Sequence, residues 1–306
     1  MTLLGVYREK RFSPGKVRED AAILEATLRA LSRMGHTFHT LEAEALGRDF
    51  NTRGNLSSEH GEPGTRVRVR EAPAAGHPHA GGLEGATRAP MIDYPCVLTM
   101  AQSAPALEVL DAQLMRGVRI INSIPSVRNT YRKPLIHLLG DGGLRVPQSE
   151  IVATEKAEDR VSFRSSASYW LKRGDVHAME SGDVKKVGSP EELAAALCHF
   201  KERKIGEVLV QEHVEGDVIK FYGAGTGSYF SAFFASTGDK MTSGTGELRL
   251  LASRAAEAIG LEIYGGDAVI TPKQDVVLID VNDWPSFSRC REEAANSIAG
   301  YIAGIL

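Results

Sequence analysis

The chain has 306 residues, 42% of them hydrophobic and 25% charged, with a formal charge of -3, and that length predicts two or three packed subdomains rather than one core. Near-balanced charge gives no reason to expect nucleic acid or an anionic membrane as partner, and no apolar run approaches membrane-spanning length. Three scattered cysteines, Cys96, Cys198 and Cys290, lack metal-ligand spacing and frame no disulfide scaffold, so a reducing cytoplasm is the expected compartment.

Thr2–Tyr7 reads as a short buried strand, followed by a loop carrying Arg8, Lys10, Arg11, Lys16 and Arg18. A helix is predicted from about Glu19 to Met34, with Ile23, Leu24, Leu28 and Leu31 on one face and Gly35 as its stop. Residues 51–90 are rich in Gly, Pro, Arg and His without apolar periodicity, and read as a long irregular insertion. Order returns with a strand at Cys96–Met100, a helix at Ala106–Arg116 ended by Gly117, and a strand at Val118–Ile121. Strand and helix alternating over short links predict a parallel, doubly wound α/β layer over residues 1–123.

Beyond it, one helix is predicted from Arg128 to Leu139, ending in Gly140-Asp141-Gly142-Gly143. Ser189-Pro190-Glu191-Glu192 supplies a cap, a proline at the first helical position and a capping-box Glu for the next helix, in which Cys198 is expected to be buried. Strands are predicted at Val208–Gln211, Val218–Tyr222, Tyr229–Phe234, Ala268–Ile270 and Val276–Val281, with a helix over Glu247–Ile259 closed by Gly260. No internal repeat is visible.

The segment Tyr264 to Phe287 carries the strongest chemical signal. Two apolar runs flank Thr271–Asp275, which reads as the turn of an antiparallel hairpin. A centre between Lys273 and Gln274 sets Asp267 opposite Asp280 and puts Asn282 on the same face as Asp280. Opposed carboxylates repel unless neutralised. Two carboxylates and an amide oxygen suit magnesium held against nucleotide phosphates. The plainer alternative is a pair of solvated acids at strand ends; apolar neighbours and the in-register Asn favour the metal.

Asp267, Asp280-Val281-Asn282 and Pro285 resemble the magnesium end of the ATP-grasp family, although Ser286 stands where the family has Gly. The resemblance implies an α/β chain, α+β in its C-terminal part: a Rossmann-like domain over 1–123, a nucleotide-binding lobe over 124–215 and a metal and acceptor lobe over 216–306. It implies ATP with two magnesium ions, manganese being an acceptable substitute. Other pieces fall in the family's order. Asn122-Ser123, Lys133 and Pro147 are similar to its first phosphate-lysine segment, with Arg132 replacing the usual acid; alone, Lys133 reads equally as a helix-surface lysine. Lys172 ends an apolar strand and resembles the second nucleotide lysine. Gly174 and Gly182 bracket a loop placed like the phosphate-covering loop. Gln211, Glu212, His213 and Val214 resemble the adenine hinge, with Asp217 as the later acid for the ribose.

Two chemistries fit this resemblance. The first is an ADP-forming ligase that activates a small anionic carboxylate as an acyl phosphate for an amine or thiol. The alternative is a kinase of the inositol-phosphate type, toward which His177 and Lys220 lean, unless they are a solvated loop histidine and a solvent-facing strand lysine. Arg249 and Arg254 lie in a predicted helix and offer little to an acyl phosphate, whereas Arg289 and Arg291 follow the hairpin directly. With the basic loop after the first strand, they imply an anionic acceptor, Arg289 being the candidate contact. A monomer or homodimer is expected.

Overall fold

Alternating side chains of the first strand point into two different cores, which is why it reads as apolar throughout. The structure, a computed structural model, describes residues 1–49, 94–161, 168–176, 178–225 and 227–306; the insertion expected at 51–90 and His177 lie outside the described residues. Strands β1 (Thr2–Tyr7), β2 (Thr37–Glu42), β3 (Cys96–Thr99) and β4 (Arg119–Ile121) form a parallel sheet in the order β2-β1-β3-β4. On one face Leu3 and Tyr7 join Ile23, Leu24, Leu28 and Leu31 of helix α1 (Val17–Arg33). Leu4 and Val6 instead meet Leu107 and Leu110 of α3 (Ala104–Leu114), with Leu46 of α2 (Ala43–Asp49). Burial of both faces is what a parallel sheet requires.

The single helix predicted over Arg128–Leu139 is two helices, α4 (Ile124–Asn129) and α5 (Arg132–Asp141). Tyr131 is extended between them, and its hydroxyl donates to Gln102 O just past β3. That anchor resets the phase of the following turn, so α5 presents a different face from the one a continuous helix would have shown.

A second sheet contains β5 (Ser149–Ala153), β6 (Tyr169–Arg173), β7 (Val184–Val187) and β8 (Glu207–Glu212), antiparallel in the order β5-β8-β6-β7. Helix α6 (Pro190–Glu202) covers it with Leu193, Ala196, Leu197 and Phe200. Those positions define the buried stripe. Cys198 falls off it and is exposed, contrary to expectation.

The third sheet is also antiparallel. Its strands β9 (Asp217–Ala224), β10 (Tyr229–Phe234), β11 (Ile263–Ile270) and β12 (Val276–Asp283) run in the order β10-β9-β11-β12. Helix α7 (Gly246–Ile259) buries Leu248, Ala252 and Ile259 against Ile219, Phe221 and Leu278 on one face. Helix α8 (Arg291–Ile305), not anticipated from the sequence, buries Ile298 and Ile302 in the same cluster as the α1 leucines, Tyr222 and Ala224. Each such side chain contributes roughly 1.5–3 kcal/mol on burial.

The first and third sheets meet in a hydrogen-bonded seam. Asn122, fully buried, donates Nδ2 to Ile263 O at 2.6 Å and accepts at Oδ1 from Glu262 N and Ile263 N, each at 2.8 Å. The buried Trp284 indole donates to Ile121 O at 3.1 Å. No described helix is long and apolar enough to cross a membrane.

Candidate active site

A cleft of about 1120 Å³ is lined by the second and third sheets and by residues just past β1 and β3. Its volume exceeds the roughly 300–1,000 Å³ of a single-ligand pocket. One wall is the face of β9, β11 and β12 opposite α7. There Asp267 pairs with Lys220 on one side and Asp280 on the other, so the three form one row; Tyr222, Gly265 and Asn282 form the next. Each carboxylate is answered by its own cation. Lys220 Nζ lies 2.8 Å from Asp267 Oδ1, and Arg132 Nη1 lies 2.8 Å from Asp280 Oδ1. Burial pulls Lys220 down, but Asp267 outweighs it and holds the ammonium above its ordinary value.

The pairing of the acids depends on a bulge. From Ile270↔Val276 to Ala268↔Leu278 the hairpin is centred on Lys273, not between Lys273 and Gln274; the extra residue Ile279 then shifts the register so that Asp267 meets Asp280. Bulges of this kind re-aim side chains. A Cβ on Gly266 would stand 2.1 Å from Asp280 O, and one on Gly265 would stand 2.6 Å from Phe221 O. Only glycine lets the three strands close at this point.

The opposite wall comes from β6 and β8. Lys172 is 7% exposed and its Nζ sits 3.5 Å from Ile279 O. Burial pushes its pKa down to about 8, opposed by Asp280 and reinforced by Arg132. Gln211 Nε2 donates to Ser149 Oγ at 3.1 Å. The backbone N–H groups of Glu212 and His213 are spent on Gln148 O and Ser168 O, at 2.9 and 3.0 Å, and Val214 lines the cleft just beyond. Trp170 Nε1 donates to His213 Nδ1 at 3.0 Å, fixing a flat wall; Val184, Val218, Val269 and Ile279 complete the apolar lining.

The expected covering loop is anchored as much as it is flexible in composition. A Cβ on Gly174 would meet Glu207 O at 2.8 Å, and one on Gly182 would meet His199 Nε2 at 2.3 Å, so both glycines serve close packing. Buried Asp183 accepts from Met179 N and Glu180 N, at 2.7 and 3.1 Å, and pairs with Arg173 and Arg203.

Two carboxylates and an amide oxygen on adjacent strands fit a hard divalent cation, and Lys220 and Arg132 already stand in for its charge. Among the described residues no group of three or more His, Cys, Asp and Glu gathers. A site with only two carboxylates suits magnesium, which leaves coordination positions for phosphate and water.

No family model and no curated protein matches the chain. Solved structures do. A RimK-domain ATP-grasp protein from Sphaerobacter thermophilus superposes with a TM-score of 0.64 at 19% identity, covering 99% of this chain and 100% of that one. The D-cycloserine synthetase DcsG gives a TM-score of 0.68 at 15% identity, over 100% and 99%. The D-alanine–D-alanine ligase from Bacillus anthracis, complexed with ATP, gives 0.64 at 10% identity, over 99% and 96%. The chain has the ATP-grasp fold.

Within this ATP-grasp structure, Lys172, Gln211, Glu212, His213, Val214, Lys220, Asp267, Asp280, Asn282 and Arg289 all line the cleft. Arg289 is exposed at its rim and donates to Ala235 O at 3.3 Å. Two predicted residues do not line it. Lys133 is exposed, and its neighbour Arg132, 5% exposed, faces the cleft instead, because adjacent side chains on a helix diverge by about 100°. Asp217 is exposed at the start of β9, beside Ile270. Arg249 and Arg254 are spent on Gly227 O and Gly142 O, and Arg291 opens α8 outside the cleft lining.

Polar lining residues that were not foreseen include Arg132, Gln102 and Asp283. Gln102 follows the carboxyl end of a parallel strand, a place where α/β sheets commonly bind ligands. Asp283 directly follows Asn282, and the acid flanked by Asn and Trp was the available signal. Arg8, expected to hold an acceptor anion, is fully committed. Its guanidinium donates to Met100 O, Asp283 O and Trp284 O at 3.3, 3.1 and 3.0 Å and pairs with Asp20 at 3.4 Å.

Proposed function

We propose that this chain is a magnesium- and ATP-dependent, ADP-forming ligase that activates a small carboxylate as an acyl phosphate for attack by an amine or thiol. The observation that carries the reading is the row Lys220–Asp267–Asp280–Arg132, with Lys172 buried on the facing wall. The names of the three comparison proteins support it: an ATP-grasp protein, a synthetase, and a ligase bound to ATP. In this reading residues 124–215 contribute the nucleotide lobe, 216–306 the metal and acceptor lobe, and residues 1–123 close the far end of the cleft.

The adenine would lie among Trp170, Val184, Val218 and Ile279, its edge meeting the backbone at Glu212 and Val214. Lys172, whose buried ammonium has no carboxylate within ion-pair distance among the described residues, would gain one of the phosphates as a partner. Magnesium held by Asp267, Asp280 and Asn282 would neutralise the phosphate oxygens. Displaced from the acids, Lys220 and Arg132 would face the transferring phosphoryl group. A carboxylate oxygen of the acceptor forms a bond to the γ-phosphorus as the bond to ADP breaks. The nucleophile then attacks the acyl carbon, inorganic phosphate leaves, and the nucleophile sheds its proton.

The kinase alternative rests on His177, outside the described residues, and on Lys220, whose pairing with Asp267 serves either chemistry. The deciding experiment incubates the protein with ATP, magnesium and pools of amino acids or polyol phosphates, then measures ADP and product mass. A condensation product with free phosphate supports the ligase. A mass gain of one phosphate on an acceptor replaces it with the kinase.

A further inference from the structure

At the N-terminal end of the cleft, two buried side chains hold hydrogen-bond acceptors that no described residue satisfies. Gln102 and Asp283 are each 2% exposed, and both line the cleft. Gln102 Nε2 donates to Asp283 Oδ1, which leaves Gln102 Oε1 and Asp283 Oδ2 buried without a partner. Leaving a buried acceptor unsatisfied is costly, so two of them on one hydrogen-bonded pair that lines a cleft point to a donor that arrives with a ligand.

The neighbours cannot supply that donor. The Arg8 guanidinium approaches Asp283 Oδ1 no closer than 4.0 Å and is spent on three backbone carbonyls and Asp20. The Tyr131 hydroxyl donates to Gln102 O. Ser13 donates to Asp20 at 2.7 Å, and buried Glu9 accepts from Gln102 N and Ser103 N, each at 2.9 Å. The charged side chains packed around the pair are thus one half-buried cation, Arg8, and three buried carboxylates, Glu9, Asp20 and Asp283. Such a site repels an anion and favours a positively charged donor.

We propose that Gln102 Oε1 and Asp283 Oδ2 form the subsite for a primary ammonium group, and that the second substrate of this enzyme is an amine rather than a thiol or an alcohol. This rests on the ligase reading and deepens it. The amine binds at the N-terminal end of the cleft, while the carboxylate to be activated lies nearer Lys220 and Arg289. Arg8 is a positioning residue: by gripping the backbone of Asp283 and Trp284 it fixes where the Asp283 carboxylate stands.

The test uses the full chain and three probes of one shape: glycinamide, which carries a primary ammonium, glycolamide, which carries a hydroxyl in its place, and acetamide, which carries neither. Binding is followed by ligand-observed NMR in the presence of a non-hydrolysable ATP analogue. Glycinamide should bind saturably and at least tenfold more tightly than the other two. Asp283→Asn, nearly isosteric, and Gln102→Met, which keeps the side-chain length, should each weaken glycinamide at least tenfold while leaving acetamide unchanged. Equal or tighter binding of glycolamide, absence of saturable glycinamide binding, or full glycinamide affinity in both folded variants overturns the proposal. The wild-type comparison holds even if a variant fails to fold. ATP binding and product mass are read without these probes, so the ligase reading fails on its own result.

Discussion

At the scale of single residues, Lys172 carries the clearest consequence. Its folded pKa of about 8 lies below the ordinary 10.5. Burial therefore penalises the ammonium below pH 8, and that penalty disappears as pH rises toward the unfolded value. Phosphates binding beside it favour the charged form. Between pH 8 and 9, ATP binding should take up a proton and weaken as pH rises; calorimetry in buffers of different ionisation enthalpy reads the uptake directly. Lys172→Met should abolish the uptake and weaken ATP roughly tenfold, about 1.4 kcal/mol. The same change should raise the melting temperature at pH 7, since the penalty goes with the charge. An unaltered ATP affinity would place Lys172 outside the nucleotide site. Asp280→Asn removes charge but little volume, so it should abolish magnesium-dependent ADP release with the circular dichroism spectrum preserved; turnover near the wild-type rate would remove Asp280 from the centre.

At the scale of elements, the hairpin depends on glycines that cannot be replaced. Gly266→Ala forces a Cβ into the Asp280 carbonyl and should cost about 2 kcal/mol or more, moving the acids out of register and removing activity with the stability. Gly246→Ala, at the start of α7 with nothing within 4 Å of the new Cβ, should be neutral or slightly stabilising; paired urea melts of the two variants test the contrast. The hairpin was legible in the sequence because its acids interrupt apolar runs around a turn. Its bulge was not, since nothing in the sequence distinguishes Ile279 from its neighbours as the extra residue. The three strands not foreseen, β2, β5 and β7, are all sheet edges, half-exposed and weakly patterned. Helix α8 hid behind alanines and glycines. The family resemblance points to Lys133 rather than Arg132, and the break at Tyr131, where the hydroxyl bonds Gln102 across the molecule, has no local signature that would correct it.

At the scale of the whole molecule, the seam between the first and third sheets holds the N-terminal end of the cleft against the wall built by β9, β11 and β12. Asn122→Ala would strand the backbone N–H groups of Glu262 and Ile263, at about 1–3 kcal/mol for each group left unsatisfied, and leave Ile263 O with the Trp284 backbone N–H alone. The variant should melt at lower temperature and expose the seam to protease; unchanged melting would mean that the two sheets are held by Trp284 and the α1–α8 contact instead. The paired cations on Asp267 and Asp280 bear on a different property of the molecule. Because those carboxylates are neutralised by Lys220 and Arg132 from within the chain, the fold does not depend on a metal for its own cohesion. A chelator should leave the melting temperature of the nucleotide-free protein where it was, and magnesium alone should scarcely raise it. Adding nucleotide and magnesium together should. The protein would then endure a cell's swings in free magnesium as an intact but idle molecule, its response to the ion confined to whether nucleotide arrives with it.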